Sequence, residues 1–162
     1  MAQAMKGSYI LLIPLPEAQI IKVGSLPDTY FPSGYYAYVG SARGGFKSRL
    51  NRHLKENKKT RWHIDYLLQK TNISGITLCE TEDRVECLIA QALGSQLDSI
   101  PGFGSSDCKC RSHLFFSADE GQMKGAIWAI LKSLPTGKRI HWFLPETEGQ
   151  NDTNYLGKTR GN

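Results

Sequence analysis

The hydrophobic and polar positions predict a chain that begins with strands and then alternates them with helices. "SYILLI" (Ser8–Ile13) is a compact apolar run and predicts a first strand. Gln19–Val23 predicts a second, its hairpin partner across the "PLPEA" turn. "GSLPDTYFPSG" is rich in Gly, Pro, Ser and Asp and predicts a loop. Tyr35–Val39 predicts a third strand, and three strands this close in sequence favour an antiparallel sheet. After the "GSARGG" turn, Phe46–Lys55 reads as a helix and Arg61–Gln69 as a short one. "ISGITLCE" predicts a fourth strand. Glu82–Leu97 follows as a long helix, with Val85, Leu88, Ile89, Ala92 and Leu93 at helical spacing. "PGFGSSDCKC" predicts an irregular loop, "HLFF" a strand, Gln122–Leu134 a helix and "RIHWFL" a last strand. The expected class is α/β in the α+β sense. Residues 1–145 form one domain, and 146–162 a polar, Gly/Asn-rich tail expected to be disordered.

Composition narrows this picture. A chain of 162 residues, 40% hydrophobic, suits a single domain with a real core. No apolar run approaches the ~20 residues of a spanning helix, and Pro14 and Pro16 break the longest one. "MAQAMKGS" lacks a long apolar segment, so no secretory signal and no membrane partner are expected, and the expected compartment is cytoplasmic. Cys79, Cys87, Cys108 and Cys110 are then expected as thiols or metal ligands, not disulfides.

Charge placement says more than the net +5. Arg43, Lys47, Arg49, Arg52, Lys55, Lys58, Lys59 and Arg61 face a single acid, Glu56, so this segment carries +7 and the rest of the chain −2. A basic stripe on a near-neutral body points to a polyanion, with nucleic acid the leading candidate. The plainer alternative is a solvated lysine-rich face.

That stripe lies on a helix with internal order. Phe46, Leu50 and Leu54 repeat every fourth residue and form an apolar stripe. At about 100° per residue, His53 falls near its centre and Arg49 on its flank. An arginine at a core edge needs an anion, either a protein carboxylate or a phosphate gripped in bidentate fashion. In "YYAYVG", Tyr36 and Tyr38 share one strand face and Tyr35 the other.

Gly7-Ser8-Tyr9, Tyr38-Val39-Gly40, Arg49 nine residues beyond Gly40, His53 four residues further and Glu86 in "RVECLIAQAL" occur in that order. In this set the chain resembles the GIY-YIG endonuclease superfamily. With "YVGSA", "WHIDYLL", the "EC" helix and "FGSSDCKCRSHLF" it resembles a small stand-alone branch, over roughly Gly7–Phe116. The resemblance implies a small antiparallel sheet flanked by helices and a one-metal phosphodiesterase mechanism. Glu86 would hold Mg²⁺ or Mn²⁺, Arg49 would stabilise charge on the phosphate, and Tyr9 or Tyr38, beside His53, would be the base. The first motif carries Ser8 in place of isoleucine, and no asparagine matches the one many members place after the metal-binding helix.

Two further clusters carry chemistry. Cys87, Cys108, Cys110 and His113 offer a Cys₃His set of zinc-type ligands, although Cys108-x-Cys110 is tighter than finger spacing. The alternative is a turn braced by Asp107, with thiols packing as small hydrophobes. In "RWHIDYLL", Trp62, Ile64, Leu67 and Leu68 read as core anchors. His63 and Asp65 are two apart and face different ways on a helix, which favours a structural or DNA-facing role for His63. The expectation is therefore a metal-dependent endonuclease. Its rivals are a nucleic-acid-binding module with little catalysis and a zinc-stabilised interaction protein.

Overall fold

Nine residues from Gly7 to Leu15 form β1, and its alternation explains the sheet it sits in. Tyr9, Leu11, Ile13 and Leu15 enter one buried cluster, while Ile10 and Leu12 enter another. Both faces are covered, so the strand reads as a continuous apolar run. The computed structural model describes residues 5–144 except position 57; the tail expected from Glu146 lies outside the described residues.

The remaining elements follow in order. β2 (Gln19–Ile21) and β3 (Thr29–Phe31) precede β4 (Gly34–Ala42), then α1 (Phe46–Leu54), α2 (His63–Leu68) and β5 (Gly75–Glu80). α3 (Glu86–Gly94), β6 (Asp98–Ser99), β7 (Leu114–Ser117), α4 (Glu120–Ser133) and β8 (Arg139–Phe143) complete the described chain. Six strands form one sheet in the order β6-β7-β4-β1-β5-β8, with every neighbouring pair antiparallel. The fold is α+β, an antiparallel sheet flanked by four helices.

Helices cover the sheet on both sides. Phe46 and Leu50 of α1, Ile64 and Leu67 of α2 and Phe31 of β3 pack on the side of Tyr9 and Leu11. Ile89 and Leu93 of α3 and Ile127, Ile130 and Leu131 of α4 pack on the side of Ile10 and Val39. Each such fully buried aliphatic contributes about 1.5–3 kcal/mol through its removal from water. Among the described residues, no helix is long and apolar enough to cross a membrane.

Three local expectations are corrected. β2 does not pair with β1; it pairs with β3 as a separate two-stranded ribbon, Ile20 opposite Tyr30. Both edges of β1 are occupied, by β4 and β5, and Pro14 and Pro16 remove donors where a tight hairpin would need them. The stretch expected to be a loop therefore contains β3. The helix expected from Glu82 begins at Glu86, because the Thr81 hydroxyl accepts the Asp83 N–H and holds the preceding segment in a turn.

Candidate functional site

The two tyrosine motifs meet because of strand register. Tyr9 on β1 lies directly opposite Gly40 on β4. A Cβ at position 40 would sit 2.4 Å from both Cζ and the hydroxyl of Tyr9, so only glycine lets the ring cross that strand. Gly7 is held equally tightly: at φ +151° an added Cβ would lie 2.1 Å from the Cys79 carbonyl oxygen.

Around that crossing is a polar pocket of about 410 Å³. Tyr9, Tyr38, Arg49 and Glu86 all line it, joined by Arg43, Arg61, His63 and Asp107. Glu86 arrives as the first residue of α3, where the helix dipole favours a carboxylate. Its side chain is 32% exposed.

His53 stands behind this wall. It is buried, and the Tyr9 hydroxyl lies 2.6 Å from its Nε2. Among the described residues its Nδ1 has no hydrogen-bond partner. Burial pushes the His53 pKa down to about 3, aided by Arg49, Arg52 and Lys58 and opposed by Asp65, so the ring is neutral. Burial also raises both tyrosines: Tyr9 goes well above its ordinary value, with Tyr38 adding to the rise and Arg49 opposing it. Tyr38 is pushed up by burial and by Glu86, again against Arg49. Without added positive charge, both hydroxyls are phenols.

The two arginines of α1 have different fates. Arg52 makes a bidentate pair with the fully buried Asp65, at 3.0 and 2.9 Å. Asp65 also accepts the Arg61 and Trp62 N–H groups at 2.9 Å each, so it braces α2 and is consumed structurally. Burial alone would raise the Asp65 carboxyl, but Arg52 and the two N–H groups outweigh it and hold it below its ordinary value. Arg49 has no carboxylate within ion-pair distance among the described residues. Its guanidinium lies 4.7 Å from the Trp62 ring centroid, and Arg52 lies 4.0 Å from the same ring. The pocket thus holds an arginine stacked on an indole and hydrogen-bonded to Tyr9, with no carboxylate partner among the described residues. Trp62, read from sequence as a core anchor, is also the platform of the site; only the tertiary contact reveals this.

The remaining predicted residues are spread around the pocket. Arg43 lines it and donates to the Glu82 carbonyl at 3.2 Å. His63 accepts the Gly104 N–H on Nδ1 at 2.8 Å, fixing the loop that closes the pocket. Lys47 is exposed on α1. Arg52, Lys55, Lys58, Lys59 and Arg61 line a second cavity of about 520 Å³, with Arg61 shared between the two. Lys58 donates to the His53 and Lys55 carbonyls at 3.1 and 2.6 Å, closing the C-terminal end of α1.

Cys87, Cys108, Cys110 and His113 come together from α3, the loop after β6 and the approach to β7. Their ligand atoms all lie within 4.8 Å of one another, a Cys₃His cluster that could hold a metal ion. Tetrahedral thiolates at about 2.3 Å from zinc stand ~3.8 Å apart, so the cluster is near that size. Burial and the neighbouring thiols push Cys87 up to about 12. Burial would raise Cys110 too, but His113 and the other two thiols reverse the sign and lower it.

Residues 8–136 match the family described as "Domain of unknown function DUF123". The chain belongs to the DUF123 family. No curated protein and no solved structure matches the chain significantly. The DUF123 match runs from β1 past α4, so it spans the pocket, the basic stripe and the cysteine cluster.

Proposed function

We propose that this protein is a metal-dependent endonuclease of GIY-YIG type that hydrolyses phosphodiester bonds in nucleic acid, DNA before RNA. The observation that carries the reading is the pairing pattern of the arginines: Asp65 takes Arg52 and leaves Arg49 with no carboxylate partner among the described residues, in a pocket with Glu86 and two tyrosine hydroxyls. A guanidinium without a carboxylate partner at the core edge is a seat for a phosphate.

The residues present fit a divalent ion. Glu86 is a partly exposed carboxylate on a polar pocket with room for water, and Mg²⁺ binds through one or two carboxylates while keeping much of its hydration. When bound, the ion would supply charge neutralisation at the phosphate and lower the pKa of nearby phenols. Arg49 would grip the phosphate oxygens and stabilise charge as it builds. Tyr9 is the better supported base, since its hydroxyl already has His53 Nε2 as a neutral partner at 2.6 Å. The second cavity, beyond Arg61, would hold the phosphate backbone leaving the pocket. In the cysteine cluster zinc is the ion that matches the ligands, at about one equivalent per chain.

The raised phenol pKa values favour one rival, a binding module that keeps the basic cavity without cleaving. Incubation with branched, single- and double-stranded DNAs and RNAs, with and without Mg²⁺ or Mn²⁺, separates the two. Glu86→Gln and Arg49→Ala should each reduce metal-dependent cleavage by about 100-fold or more, ~3 kcal/mol, the scale of losing a preorganised electrostatic group. Glu86→Gln cutting at the wild-type rate would refute the metal assignment. A wild type that binds but cuts nothing in the panel would leave the binding module.

A further inference from the structure

The cysteine cluster and the carboxylate of the pocket touch at one imidazole. His113 is buried and stands between them. Its Nδ1 faces two acceptors, the Val39 carbonyl oxygen at 3.2 Å and Glu86 Oε2 at 3.1 Å. Two acceptors on that side require a proton on Nδ1, so when the ring gives up a proton to take a metal it is Nε2 that carries the lone pair. Nε2 faces sulfur, with Cys108 Sγ at 3.4 Å and Cys87 Sγ at 4.0 Å. This is the tautomer that a metal ion in the cluster needs. A second link is covalent: Cys87 follows Glu86 directly in the first turn of α3.

We infer that the Cys87–Cys108–Cys110–His113 cluster, when it holds zinc, positions Glu86 for the divalent ion of the neighbouring pocket, through His113. The inference rests on the phosphodiesterase reading of Glu86. Metal on Nε2 fixes the plane of the ring and strengthens the positive edge at Nδ1, as in carboxylate–histidine–zinc triads. Glu86 is then held by one oxygen at a set place on the pocket rim. With the cluster empty, the ring keeps its Val39 contact and is held on the sulfur side only by its contacts with the thiols, which are weaker than a metal bond. His113 is accordingly a positioning residue.

The test uses the full chain with its zinc content measured, and Mn²⁺ binding followed by electron paramagnetic resonance. Removing zinc with a chelator should weaken Mn²⁺ binding by about tenfold or more, the scale of losing an outer-shell partner, and reloading should restore it. His113→Cys supplies the control that a purely structural role would pass. Its fourth thiolate should keep zinc and thermal stability, because Cys₄ sites are ordinary for zinc, yet it deletes the link to Glu86. Weakened Mn²⁺ binding in zinc-loaded His113→Cys supports the inference. Unchanged Mn²⁺ binding in that variant, or a wild-type cluster that takes up no zinc, overturns it and leaves the pocket reading standing. Zinc-loaded wild type that binds Mn²⁺ no better than Glu86→Gln overturns the pocket reading itself, and the inference with it.

Discussion

His53 should make this fold sensitive to mild acid, by an amount that follows from its burial. In the native state burial pushes its pKa down to about 3, from an ordinary value of 6.5. Burial is the largest cause; Asp65 on α2 favours a charge but is outweighed, because Arg49 and Arg52 on the same helix and Lys58 just beyond disfavour it too. The sign follows from proton uptake. Below pH ~6.5 the unfolded chain protonates this ring while the native chain does not, so stability falls with falling pH. The loss is absent above the unfolded pKa and is complete only below about pH 3. Between pH 7.5 and pH 5 it amounts to RT ln(1 + 10^1.5), about 2 kcal/mol. Urea unfolding of wild type and His53→Gln at both pH values measures it, since the other titrating groups cancel in the double difference. The expected result is a wild type that loses about 2 kcal/mol more than the variant. Equal losses would refute the reasoning and mean that the native ring is hydrated or charged.

Two other outcomes test the interface and the strand crossing. Replacing Lys55, Lys58 and Lys59 with Gln should weaken nucleic-acid binding and flatten its dependence on log[salt] by roughly two to three units, about 0.9 per lost phosphate contact; an unchanged slope in a salt titration would make the stripe a solvated face. Gly40→Ala should cost about 1–3 kcal/mol, the range for overpacking, and displace the Tyr9 ring; a thermal melt matching wild type would contradict the close approach.

Much of this was legible in the sequence because it depends on short-range periodicity. The fourfold spacing of Phe46, Leu50 and Leu54 turns Arg49 and His53 toward the sheet, and the alternation of β4 puts Tyr36 and Tyr38 on one face, before any partner is known; β1 is apolar on both faces, so the face of Tyr9 is not readable this way. Pairing was not legible. The pattern marks Gln19–Ile21 as a strand but does not show that β1 has no free edge for it. Nor does spacing alone decide which α1 arginine meets Asp65, thirteen residues beyond Arg52. The same limit applies to His113, whose contact with Glu86 joins two segments far apart in sequence. The glycine of the second motif could be read only as a motif letter; its reason is a tyrosine ring from the neighbouring strand.

The placement of β1 and β4 has a consequence for how the molecule breathes. Each is hydrogen-bonded to a strand on both sides, and each carries one of the two phenols. Amides of such central strands exchange with solvent mainly when the whole domain opens, whereas short helices and loops open on their own at lower cost. Glu86 sits in the first turn of the nine-residue α3, and Asp107 lies in the loop between β6 and β7. The pocket therefore joins one wall that yields only with the entire fold to another that can loosen separately. Under the proposed function, the divalent ion and substrate would enter and leave by the second wall while the tyrosines stay in register.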